Sequence, residues 1–89
     1  MLRVAISDLL KRELSSLLRN ARTGKRKTQE EMAELLEMDT RSYQELERGR
    51  SLCGTVTLFL FMLEFSDIDV TYICELIKEL KENCPEEIY

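Results

Sequence analysis

Turn chemistry is scarce in this chain. Its 89 residues include three glycines, Gly24, Gly49 and Gly54, and one proline, Pro85. A sheet needs a turn every few residues, and Gly and Pro are the residues that build most of them. Apolar residues meanwhile recur three and four apart along most of the length. Together these features predict an all-α fold. The length leaves room for one domain, 1–89, with a core over 7–66. At 44% apolar the composition suits a packed interior and not a disordered chain. A domain this small buries a modest fraction of its surface, so self-association would add to its stability.

Five helices are predicted. The first runs from about Ser7 to Arg22, with Leu10, Leu14, Leu17, Leu18 and Ala21 at helical spacing. Gly24 then breaks the pattern ahead of Lys25, Arg26 and Lys27. The second helix opens at Thr28, where Thr-Gln-Glu-Glu forms a capping box: the Thr28 hydroxyl accepts from the Glu31 amide and Glu31 reaches back. Met32, Leu35 and Leu36 form its inward stripe. Glu37, Met38 and Asp39 make a turn, Asp39 caps a third helix from Thr40 to about Arg48, and Gly49 ends it. A fourth helix lies near 55–65. A fifth runs from about 69 to 83, before a frayed tail over 85–89.

Charge is distributed unevenly. The net charge is −4, yet residues 1–27 carry +6, residues 28–50 carry −4 and residues 51–89 carry −6. Binding responds to the local field at a surface, not to the total, so the basic third can still meet an anion. Cys53, Cys74 and Cys84 are odd in number and show no C-x-x-C spacing, and the chain has no histidine. They are expected to be reduced thiols filling apolar space, with no metal site and no cofactor. The longest apolar run, Leu58 to Leu63, is far short of the ~20 residues that cross a bilayer. With no secretory signal evident, free thiols point to the cytoplasm. Neither a nucleophile–base pair nor a Gly-rich phosphate loop is visible, so no enzyme and no small-molecule ligand are expected.

The third helix carries the sharpest functional pattern. At about 100° per residue, Thr40, Arg41, Gln44, Glu45 and Arg48 fall within one arc, and Tyr43 and Leu46 point the other way. One face is anchored in a core. The other is a polar strip whose donors and acceptors have the reach to read base edges in a DNA major groove.

These residues resemble a known family. The run from Thr28 to Gly49, TQEEMAELLEMDTRSYQELERG, is similar to the helix-turn-helix of the lambda-repressor and Cro-like regulators, the xenobiotic-response-element type of phage and bacterial proteins. The carrying positions are Gln29, Ala33, Tyr43, Glu47 and Gly49, and the resemblance covers about residues 14–66. It departs at Glu37, where the family often has Gly in a left-handed conformation. The resemblance implies a five-helix DNA-binding domain and a transcriptional regulator, in most such cases a repressor. It implies that Thr40, Arg41, Gln44 and Glu45 face bases: Arg41 suits guanine, Gln44 adenine, and Glu45 a cytosine amine. Gln29 would donate to a phosphate, Arg48 and Arg50 would hold the flanking backbone, and Lys25, Arg26 and Lys27 would lie on the same phosphate path. Arg22 and Glu47 would form a structural ion pair between the first and third helices.

The fourth helix is apolar on two sides. Val56, Phe59, Leu60 and Leu63 share one face, and Leu58, Phe61, Met62 and Phe65 share the opposite one. Such a helix needs cover on both. The fifth helix offers Val70, Ile73, Cys74, Ile77, Leu80 and Cys84 on one stripe. The expected arrangement is a homodimer on double-stranded DNA, joined through Leu58, Phe61, Met62, Phe65, Ile73, Ile77 and Leu80. The competing expectation is an antitoxin-like module that grips a partner protein through these C-terminal helices.

Overall fold

The structure is a computed structural model and describes residues 1–83. Cys84, Pro85 and the tail over 85–89 lie outside the described residues. Five helices follow one another, and no strand occurs among the described residues: α1 (Leu2–Gly24), α2 (Gln29–Leu35), α3 (Thr40–Glu47), α4 (Thr55–Glu64) and α5 (Thr71–Glu82). None is long and apolar enough to cross a membrane.

α1 starts five residues earlier than the sequence predicts. The expectation rested on Ser7 and Asp8 as caps, but α1 has no side-chain cap at its start, and Met1 simply precedes the first turn. Leu2, Ile6 and Leu9 extend the apolar spacing upstream, and Leu9 is buried.

Three helices end in the same way. After α1, the Lys27 amide donates to the Arg22 carbonyl and the Arg26 amide to that of Thr23. After α2, Met38 donates to Ala33 and Glu37 to Glu34; after α3, Arg50 donates to Glu45 and Gly49 to Leu46. This paired pattern is the Schellman motif, which requires a left-handed residue just past the helix. Arg26 (φ 56°), Glu37 (φ 55°) and Gly49 (φ 72°) occupy it. Gly24 was expected to be the breaker of α1, but it is the last helical residue, and Arg26 takes the turn. At Gly49 the turn also lies against α1: an added Cβ would meet the Lys11 carbonyl oxygen and the Ser15 hydroxyl at 3.5 Å, an ordinary contact, so its φ is what favours glycine there.

The core joins α1 to α4. Leu18, Met32, Ala33, Leu36, Tyr43, Leu46, Phe61 and Phe65 form one buried cluster. The rings of Phe61 and Phe65 pack tilted, 5.2 Å apart. α5 turns back against α1. Leu10 and Leu14 of α1, Leu58 and Met62 of α4, and Ile73 and Ile77 of α5 border an apolar cavity of ≈ 240 Å³.

This packing corrects the expected interface. Phe61, Phe65 and Ile73 are buried within the chain, and Leu58, Met62 and Ile77 face the cavity; Leu80 is half-buried. The face of α4 that lies open is the other one: Val56 is 75% exposed, Phe59 64% and Leu63 76%. The physical reason is volume. The core shared by α1, α2 and α3 takes the rings of Phe61 and Phe65, and the opposite stripe, with one ring, is left outside.

Candidate functional site

The site is built on α2, α3 and the turn between them. The Thr28 hydroxyl accepts from the Glu31 amide at 3.1 Å, and the Glu31 carboxylate accepts from the Thr28 amide at 2.8 Å. Asp39 caps α3: its carboxylate accepts from the Ser42 amide at 3.2 Å and from the Ser42 hydroxyl at 2.6 Å. These hydrogen bonds hold the Asp39 carboxyl below its ordinary range. Both caps fix where each helix begins, and so which side chains each presents.

Glu47 locks α3 to the rest. It is buried, with four donors around its carboxylate. Arg22 grips it two-pronged, Nε at 2.6 Å from one oxygen and Nη2 at 3.2 Å from the other. The Tyr43 hydroxyl donates to it from one turn back on α3, and the Gln29 amide donates at 3.1 Å from α2. Burial pushes the Glu47 carboxyl up, but the bonds from Arg22, Tyr43 and Gln29 outweigh it and leave the group ionised below its usual range. Burial, and then the bond to Glu47, pushes the Tyr43 hydroxyl the other way, far above its ordinary range. The expected Arg22–Glu47 contact is thus present, with a half-buried arginine on a buried carboxylate. Arg22 also donates to the Lys27 carbonyl at 3.2 Å, and Arg19 to the Glu47 carbonyl at 2.8 Å. One guanidinium therefore ties the basic turn to the end of α3.

The polar strip of α3 faces outward, and its members differ. The Arg41 side chain is exposed and makes no hydrogen bond or ion pair among the described residues. Thr40 is half-buried in the first turn. Gln44 donates to the Gln29 side-chain oxygen at 3.1 Å. That bond sets the Gln44 carboxamide at the edge of the strip and leaves its oxygen and one N–H for a partner. Gln29 uses one amide hydrogen on Glu47 and keeps the other. Glu45 is already engaged: Arg48 reaches it at 3.1 Å and Arg50 at 3.8 Å. An acidic group held between two guanidiniums is a poor acceptor for a base amine. It pairs with Arg48 and Arg50 at the edge of α3. Lys25 and Arg26 are exposed, and Lys27 is half-buried; their side chains form no ion pair among the described residues. The Gln29–Gln44 bond places the start of α2, two residues past Lys27, against the polar strip.

Sequence reasoning did not identify Arg19, Ser42 or the Tyr43 hydroxyl as parts of this site. Arg19 precedes Arg22 by three residues, which on a helix puts both on one side, so a signal for it existed. Tyr43 reads in a sequence as an apolar anchor. Its hydroxyl acquires meaning only once Glu47, one turn on, is known to be buried. No known protein family, curated protein or solved structure matches this chain.

Proposed function

We propose that this chain is a sequence-specific double-stranded-DNA-binding protein and a transcriptional regulator, in which α2 and α3 form a helix-turn-helix of the lambda-repressor-like kind and α3 enters the major groove. The observation that carries the reading is the outward strip of α3. Arg41 is unpartnered and Gln44 is pre-set by Gln29, while the helix beneath them is fixed to α1 and α2 through one buried carboxylate. A reading helix must hold its side chains in a defined register, and this network supplies that rigidity. Arg41 on the second residue of α3 suits the bidentate edge of guanine, and Gln44 that of adenine. Gln29, bonded to Gln44, and the basic side chains of Lys25, Arg26, Lys27, Arg48 and Arg50 are the groups assigned to phosphates, where they would add affinity and register.

The direct test is selection of bound duplexes from a random pool, followed by a binding titration of the enriched site. The reading expects an enriched motif and a Kd that rises steeply with salt. A pool that stays random after repeated rounds would overturn it. A second reading, a module that grips a partner protein through its C-terminal helices, draws on the open apolar stripe of α4.

A further inference from the structure

We propose that the apolar cavity between α1, α4 and α5 is a binding site for a small, neutral, hydrocarbon-like molecule, a single aromatic ring with short substituents or its aliphatic equivalent. The proposal does not rest on the reading of α3. It departs from the expectation of no small-molecule ligand. The walls come from four places in the chain, and no local motif announces them.

The lining is of one chemical kind. The three helical pairs described above, each one turn apart, form its sides. Leu52 and Cys53 close it from the loop ahead of α4, and Val70 and Cys74 from the head of α5. No charged side chain, amide or alcohol borders it. Other depressions of the surface differ: Arg3 borders one, Lys25 and Asp67 another, and Arg41 and Glu45 a third. The polar side-chain groups at the wall are two thiols, which are weak donors and weak acceptors. The Cys53 thiol already donates to the Gly54 carbonyl at 3.4 Å. Burial pushes that thiol up, as it does for any group whose charged form its surroundings disfavour. A charged or strongly polar guest would lose its water here with little in return. An apolar guest gains by leaving water for Leu, Ile and Met side chains.

Volume narrows the guest further. The cavity measures ≈ 240 Å³. An apolar cavity of about 150 Å³ holds benzene, and sites for drug-sized ligands begin at roughly 300 Å³. One ring with short substituents falls between these limits. Leu52 and Cys74 are the exposed members of the lining, so a guest enters beside them. A partner helix would need an open groove that takes anchors over several turns. These walls instead surround a single pit, and the space between packed helices is a common place for small-molecule sites.

A titration of the full chain with toluene, followed by methyl NMR, tests this. Signals from Met62 and Ile77 should shift in a saturable way, with a Kd below about 1 mM. Those of Val56 and Leu63, on the outer face of α4, should stay in place. Benzoate, which puts a charge on the same ring, should move neither set over the same range. Saturating toluene should raise Tm by about 2 °C or more. Cys74→Phe and Val70→Phe each add a ring to the wall at the head of α5. Each should weaken toluene binding by about tenfold or more, with Tm at or above that of wild type. Met62 and Ile77 signals that do not respond to toluene in the wild type would overturn the proposal, whatever the variants do. So would shifts confined to Val56 and Leu63, or benzoate bound as tightly as toluene. Undiminished toluene binding in both folded variants would also count against the cavity as the site.

Discussion

Glu47 is the residue on which most of the chain's polar order converges. Arg22, Tyr43 and Gln29 all donate to it, and each comes from a different place in the packing. Removing it leaves a half-buried guanidinium, a buried hydroxyl and an amide without their acceptor. Glu47→Ala should therefore destabilise by about 3 kcal/mol, visible as a Tm lower by more than about 10 °C. An unchanged melting curve would contradict the role given to it. The same network sets a pH dependence. Glu47 is depressed in the folded chain, so its stabilisation is fully present above the unfolded carboxyl pKa of about 4.3 and is lost as pH falls through the folded value. Tyr43 is raised, so it stabilises below about pH 10 and that gain fades only as pH climbs toward its folded value. Denaturant midpoints should form a plateau between these limits and fall on the acid side; in Glu47→Gln the acid fall should be shallower.

At the scale of elements, the turns hold strain that can be relieved. Arg26 and Glu37 hold left-handed backbone at the ends of α1 and α2, where a side chain costs about 1 kcal/mol. Glu37→Gly should raise stability by about 0.5–1 kcal/mol, since relief of strain exceeds the added freedom of the unfolded chain. Gly49→Ala should lower it, because the same φ recurs there against α1. A chemical-denaturation midpoint for each variant decides both. These elements also show what the sequence could carry. The capping box at Thr28 and the cap at Asp39 were legible because a cap is a local rule, satisfied by residues three apart. The start of α1 and the left-handed residue after it were not: nothing local distinguishes Gly24 from Arg26 as the turn. The two faces of α4 were both legible as apolar. Which of them turns inward depends on the space left by Leu18, Tyr43 and Leu46, and no periodicity within residues 55–65 contains that information.

At the scale of the whole molecule, the chain is polarised and its binding should be polarised too. Lys25, Arg26 and Lys27 concentrate positive charge just ahead of α2, and the Gln29–Gln44 bond brings that end of α2 against the outward strip of α3. On the proposed reading, affinity and specificity belong to different residues. Arg41 and Lys27 separate the two, and one titration tests the central claim most directly: wild type, Arg41→Ala and Lys27→Ala on the enriched duplex and on a scrambled one, across a range of salt. The account predicts that wild type prefers the enriched duplex. It predicts that Arg41→Ala weakens binding to that duplex by about 1–3 kcal/mol, with little change on the scrambled one. Lys27→Ala should weaken both alike and lower the salt slope by about one. Equal binding of the two duplexes by wild type at physiological salt, or an Arg41→Ala loss that is the same on both, would contradict a base-reading α3.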